Sequence, residues 1–158
     1  YYQTEDELPA SGASYTLAIT AVGVADTHGA VYAAMELDNV DASGPEVTAT
    51  TTRLLSEDSV SQAITTSTDG AWIFDAIATG FPLGAGFTPT LQTERVDLNA
   101  SSMAGAAGTY VKTVAGTVSL GWTCETDCNR IAYSLAAFRP HPEPVACLGC
   151  DAQCALYE

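Results

Sequence analysis

Two runs inside the stretch from Gly70 to Pro140 constrain the fold of this chain more than anything else in it. They are Ala71-Trp72-Ile73-Phe74-Asp75-Ala76-Ile77-Ala78-Thr79 and Arg130-Ile131-Ala132-Tyr133-Ser134-Leu135-Ala136-Ala137-Phe138. Both carry the β-branched and aromatic residues that suit a pleated, packed surface. Between them lie a Gly/Pro loop, a segment of small residues and a third run, Gly116-Thr117-Val118-Ser119-Leu120-Gly121-Trp122-Thr123.

The rest of the chain repeats the pattern. Tyr15, Leu17, Ile19 and Ala21 alternate along residues 15–24, and Val31, Ala33, Met35 and Leu37 along residues 30–37, the period of a strand with one buried face. Residues 46–53 and 61–66 read as Thr-rich strands joined by a short connection. Asp69-Gly70 marks a tight turn. Residues 80–86 form a Gly/Pro loop, and 88–96 read as one polar strand. Residues 100–108 are nearly all Ala, Ser and Gly, too Gly-rich for a helix; they read as a bulged or edge strand, or a loop lying on the sheet. About nine short strands without an amphipathic helix predict an all-β, antiparallel β-sandwich of jelly-roll type. Residues 1–140 form the sandwich domain; 141–158 are a Pro-rich linker and a Cys-rich tail.

Charge narrows the partners. There are 19 acidic residues against 5 basic, a net −14, which repels phosphate backbones and anionic headgroups. Neither nucleic acid nor a membrane is an expected partner, and no run approaches the roughly 18 apolar residues of a spanning helix. The chain opens Tyr1-Tyr2-Gln3-Thr4 without Met, which reads as a processed or truncated end.

Several of these segments together resemble a β-sandwich module repeated in secreted and surface proteins of bacteria and archaea. The residues that carry the resemblance are Gly70-Ala71-Trp72-Ile73-Phe74-Asp75-Ala76, then Thr90-Leu91-Gln92-Thr93-Glu94-Arg95, then Val118-Ser119-Leu120-Gly121-Trp122-Thr123, and the closing Ile131-Ala132-Tyr133-Ser134-Leu135-Ala136-Ala137-Phe138-Arg139-Pro140. It covers roughly residues 1–140, corresponds to the C-terminal part of the module, and rests on packing and turn motifs. It therefore implies a fold, with no catalytic residues to carry over. It also implies that strands preceding Tyr1-Tyr2 in the module are missing, so that the sandwich is incomplete and is completed by a strand from another subunit, by a bound fragment, or by the chain closing on itself. The tail beyond Pro140 has no counterpart in the module.

Sites follow from residue chemistry. Cys124 and Cys128 flank three residues where a turn between the Trp122 and Arg130 strands is expected, and a disulfide there would staple a hairpin tip. Cys147, Cys150 and Cys154 are read as disulfide-forming; the competing readings are zinc, with His141 as fourth ligand, and thiol redox chemistry. Five cysteines are an odd number, so at least one is free or bonded outside the chain. Cysteine usage points to an oxidising, extracellular or cell-surface setting. Asp38, Asn39 and Asp41 are a candidate for Ca²⁺ in an Asx-rich loop that lacks EF-hand register; no other cofactor is expected. Asn99-Ala100-Ser101 fits the glycosylation pattern.

Catalysis lacks material. No Gly-x-Ser-x-Gly elbow is present. His28 and His141 read as loop residues. Asp75, inside an apolar strand, calls for a buried partner such as Arg95. A paired-carboxylate site would need Glu36, Glu94 or Asp97 to converge on it. Trp72 and Trp122 read as core. The expectation is a non-enzymatic extracellular structural subunit that self-assembles into a filament or surface structure, its partners copies of itself, with disulfides locking the product. The alternative is a carbohydrate- or calcium-binding module with a glycan as partner.

Overall fold

The structure, a computed structural model, describes residues 35, 37, 39–41, 43–55, 57–80, 86–100 and 103–141, without the side chains of Ala100 and Asp127. The alternating segments at 15–24 and, apart from Met35 and Leu37, at 30–37 lie outside the described residues, as do Tyr1, Tyr2, His28, Glu36, Asp38, Cys147, Cys150 and Cys154.

The described chain is all β. Its strands are β1 (Val47–Arg53), β2 (Glu57–Thr66), β3 (Ala71–Thr79), β4 (Phe87–Pro89), β5 (Thr93–Ala100), β6 (Met103–Lys112), β7 (Gly116–Cys128) and β8 (Ile131–Phe138). They form a five-stranded sheet, β1-β8-β3-β6-β5, and a three-stranded sheet, β2-β7-β4. Every strand pairing among the described residues is antiparallel. The sheets pack face to face as an open β-sandwich. Only β5 and β6 are both consecutive in sequence and neighbours in a sheet; every other connection crosses from one sheet to the other.

Alternation decides what lies between the sheets. Along β3, Ala71, Ile73, Asp75, Ile77 and Thr79 are buried while Trp72, Phe74, Ala76 and Ala78 are half-buried on the opposite face. On β8, Ile131, Tyr133, Leu135 and Ala137 point inward. The second sheet supplies Val60, Ile64, Leu120, Trp122 and Phe87, with the Phe87 and Trp122 rings edge to face at 6.3 Å, an arrangement aromatic quadrupoles favour.

Three sequence expectations are corrected. Residues 88–96 are not one strand: β4 ends at Pro89, β5 begins at Thr93, and the two belong to different sheets. Proline cannot continue a ladder as a donor, and Gln92 turns inward at the crossing. The small-residue segment is neither edge nor loop. It forms β6, an interior strand between β3 and β5 with residues 104–109 all buried. Small side chains fit where both faces are crowded, and for that reason show no period. Finally, β2 starts at Glu57, so the connection after β1 is shorter than expected.

Two turns at one end of the sandwich are tied together. Asp69 Oδ1 accepts the Ala115 N–H at 2.6 Å, and Gly70 N–H donates to Thr113 O. Beside them, Glu46 gathers four donors from distant elements. Its Oε1 accepts Ser67 N–H at 3.2 Å. Its Oε2 accepts Ser67 Oγ–H at 2.7 Å, Thr68 Oγ1–H at 2.8 Å and Arg139 Nε–H at 3.4 Å. Burial alone would raise this carboxyl, but the hydrogen bonds outweigh it and hold Glu46 below the ordinary glutamate value.

Candidate functional site

Asp75 is the one carboxylate among the described residues sealed between the sheets, with no solvent exposure. Three donors from three elements converge on its Oδ2: Tyr133 O–H of β8 at 2.6 Å, Gln92 Nε2–H of the β4–β5 crossing at 2.9 Å, and Trp122 Nε1–H of β7 at 3.1 Å. Gln92 also donates to Gly121 O at 2.8 Å and accepts Leu91 N–H at 3.2 Å. Each member of the cluster is therefore satisfied except Asp75 Oδ1, which has no partner of normal geometry.

Gly108 makes the cluster sterically feasible. It stands opposite Asp75 in the β3–β6 register, and a Cβ there would sit 2.8 Å from Gln92 Cγ and 2.9 Å from Asp75 Oδ1. The missing side chain is the space that Gln92 and the carboxylate share.

Burial pushes the Asp75 carboxyl above its usual value; hydrogen bonds from Tyr133 and Trp122, and the Gly108 backbone N–H, oppose that without cancelling it. Tyr133 is pushed up in turn, first by burial and then by the neighbouring carboxylate. In a dry interior an unpaired charge is costly. Three directed donors make this one tolerable and tie both sheets and a crossing strand to one atom. No reactant reaches a fully enclosed carboxyl, so its chemistry is cohesive.

The expected Arg95 partner is replaced by these uncharged donors. Arg95 lies at the bulge between Glu94 and Val96, is exposed, and donates from Nε to Thr109 Oγ1 at 2.9 Å. Glu94 and Asp97 are exposed on edge strand β5. Asp97 Oδ2 accepts Phe87 N–H at 3.2 Å, joining β5 to β4 rather than joining Asp75. Trp122 is core as expected, but Trp72 is half-buried on the outward face of β3.

Cys124 and Cys128 form a disulfide with Cα atoms 6.0 Å apart, but not at a hairpin tip. Both lie within β7, and β7 and β8 belong to different sheets. Between the Ser59–Thr123 and Glu57–Cys128 pairs, β7 carries more residues than β2; the disulfide closes the base of the resulting protrusion. Glu125 on that protrusion clips to Gly86 through its N–H to Gly86 O at 3.0 Å, and through Oε2 from Gly86 N–H at 3.3 Å.

Of the calcium candidates, Asn39 has φ of 57° and its carbonyl accepts His141 N–H at 2.7 Å. Asp41 Oδ1 accepts Ser43 N–H at 2.8 Å, and the Ser43 backbone and side-chain hydrogen bonds hold this exposed carboxyl below its usual value. Asp41 is thus occupied in its own Asx turn. Among the described residues, which exclude Asp38, no three His, Cys, Asp or Glu side chains gather to hold a metal. Asn99 is exposed near the end of β5.

The chain matches no protein-family model, and neither the curated proteins nor the solved structures contain a similar one.

Proposed function

We propose that this chain is a non-enzymatic structural subunit, exported from the cell, that assembles with copies of itself into a filament or surface structure by accepting a strand beside β2. The carrying observation is an asymmetry between the two sides of the sandwich. On the β4/β5 side the edges are defended: β4 is three residues long and ends in Pro89, and β5 has a bulge and charges at Glu94, Arg95 and Asp97. These are the devices that stop strands from pairing at an edge. On the β1/β2 side they are sparse. β1 reads Val-Thr-Ala-Thr-Thr-Thr-Arg in unbroken register with β8. Residues 60–66 of β2 contain no Pro, no charge and no bulge.

Burial at that margin points the same way. Val47 and Ala49 face inward yet are only half-buried, whereas Leu135 and Ala137, their register partners on β8, are buried. A fourth strand beside β2 would cover them, with main-chain hydrogen bonds supplying affinity. The resemblance to a surface module with further strands supports the same reading. Pairing Cys124 with Cys128 leaves three of the five cysteines, an odd number that supports a disulfide between chains. The glycan-binding alternative is the weaker reading, because Trp122 is enclosed.

With a net charge of −14, copies repel one another at low ionic strength, so salt should promote assembly by screening. The test is negative-stain microscopy and sedimentation of the wild-type chain and of Ser61→Lys/Ala63→Lys, two exposed positions on β2. Salt-dependent polymer in the wild type that is lost in the double variant is the expected result. Polymer unaffected by the lysines, or none in the wild type at high salt and concentration, would overturn the proposal.

A further inference from the structure

Among the described residues β2 ends the three-stranded sheet, and its edge sets the terms for any strand that pairs there. Its inward positions are Val60, Gln62, Ile64 and Thr66, of which Val60, Ile64 and Thr66 are buried. Its outward positions Ser61, Ala63 and Thr65 lie beside Gly121, Ser119 and Thr117 of β7, with the Thr65 and Thr117 hydroxyls hydrogen-bonded at 2.8 Å. An added strand therefore needs apolar side chains at every second position along residues 60–66, to extend the inward row over the half-buried Val47 and Ala49. Between them it needs small or hydroxyl side chains, to extend the outward row. It must bring no charge to the margin of the core and no proline into the ladder.

The longer segments outside β1–β8 meet these terms unequally. Residues 1–14 carry Glu5, Asp6, Glu7 and Pro9. Residues 30–37 include Glu36 and run straight into backbone that the chain itself holds: the Asn39 carbonyl accepts the His141 N–H at 2.7 Å, Asp41 N–H donates to Arg139 O at 2.9 Å, and Val40 bridges Pro140. Residues 141–158 carry Pro142, Pro144 and three cysteines, without alternation. Residues 15–24 satisfy every term. Tyr15, Leu17, Ile19 and Ala21 share one face, Thr16, Ala18 and Thr20 the other, and the segment has no charge and no proline in a chain with 19 acids.

We infer that residues 15–24 of one copy are the strand that pairs beside β2 of the next, an assignment that rests on the assembly proposed above and names its donor. The apolar positions of the segment match the inward positions of β2 one for one. Aligned in this way, Leu17 and Ile19 fall opposite Gln62 and Ile64 in either strand direction, and the bulky aliphatic side chains meet the middle of the edge. Thr16, Ala18 and Thr20 then continue the Ser, Ala and Thr row of the outward face. Reach is sufficient. The 14 residues between Val24 and Asn39, where the chain is fixed to Pro140 and His141, extend to about 45 Å. That exceeds the roughly 25 Å of the edge itself, so the segment can leave its own sandwich for a neighbour's. Each copy gives one strand and accepts one. Such a contact is heterologous, and it propagates into an open chain of subunits instead of closing a pair.

The test is sedimentation of the full chain at high salt, with two double variants alone and mixed. Leu17→Asp/Ile19→Asp disables the donor and leaves β2 intact; Ser61→Lys/Ala63→Lys disables the acceptor and leaves residues 15–24 intact. The expected result is polymer from the wild type, monomer from each variant alone, and from their equimolar mixture a one-to-one dimer that grows no further. That dimer should be at least tenfold tighter than the self-association of either variant, and its formation shows that both are folded. Polymer from Leu17→Asp/Ile19→Asp that disappears when the two lysines are added would overturn the donor assignment and leave strand addition beside β2 standing. No polymer from the wild type, or polymer indifferent to the lysines, would overturn both. A mixture that stays monomeric while the wild type polymerises would overturn the assignment. So would a dilute Leu17→Asp/Ile19→Asp monomer with a lower denaturation midpoint than the wild-type monomer, because the segment would then be covering the β2 of its own chain.

Discussion

Replacing Tyr133 by Phe tests the interior cluster with the least disturbance, because the ring stays and a single oxygen goes. That oxygen donates to Asp75 Oδ2 at 2.6 Å, inside the fully buried core. A hydrogen bond to a charged group contributes about 1.5–3 kcal/mol net, so Tyr133→Phe should lower stability by about 2 kcal/mol at a pH where Asp75 is ionised. For a domain of this length that is about 4–8 °C in Tm. The pH dependence is the sharper signature. The Asp75 carboxyl is raised in the folded state. Its contribution to stability is therefore fully present below the unfolded aspartate value of about 3.9 and is lost as pH rises through the folded value. Removing the Tyr133 donor raises the folded value further and deepens that loss. The gap between wild type and variant should widen as pH rises through the folded Asp75 value. Below that it should shrink toward the roughly 1 kcal/mol of a neutral hydrogen bond. Urea denaturation from pH 3 to 8 measures it. A gap that is flat with pH, or below about 0.5 kcal/mol throughout, would refute the role given to Asp75.

Gly108→Ala should destabilise by about 1–3 kcal/mol through overpacking, because the new Cβ lands within 3 Å of Gln92 and Asp75; denaturant midpoints report it, and Gly108→Ala combined with Gln92→Ala should recover part of the loss. Replacing both Cys124 and Cys128 with Ser removes a short covalent loop, for which chain entropy predicts about 2 kcal/mol; reducing agent should lower the wild-type Tm and leave the variant unchanged. Glu46→Gln should behave oppositely to the Asp75 cluster in pH. The Glu46 carboxyl is lowered in the folded state, so its contribution is present above the unfolded value of about 4.3 and lost as pH falls through the folded one. The variant should be about 1 kcal/mol less stable at pH 7 and equal to wild type near pH 2, read by the same denaturation series.

What could be read from the sequence depended on whether neighbours in the chain are neighbours in space. β3 and β8 were legible because each is a run of β-branched, aromatic and other apolar residues recognisable within itself. β6 was not, because six consecutive small buried residues carry no period. The division of β4 from β5 was hidden because residues 88–96 are mostly polar and show no change of pattern at the crossing, which Pro89 and the inward turn of Gln92 mark in the fold. The disulfide was predicted from spacing alone, but its setting depended on whether β7 and β8 pair, and they do not. At the interior site, Asp75 stood out as an acid in an apolar strand. Its partners did not, since charge pairing points to Arg95 while the fold delivers an amide, an indole and a phenol from 17, 47 and 58 residues away. Glu46 gave no signal, because its donors come from a turn 21 and 22 residues on and from Arg139, 93 residues on.

Strand addition beside β2 is tested most directly by hydrogen–deuterium exchange on the wild-type chain before and after salt-induced assembly. Amides that gain a main-chain partner exchange far more slowly. Assembly should protect peptides covering Ser59–Thr66 of β2 while β4 and β5 keep their monomer rates. Assembled material in which β2 exchanges as fast as in the monomer, or in which the new protection lies along the β4/β5 side, would contradict it.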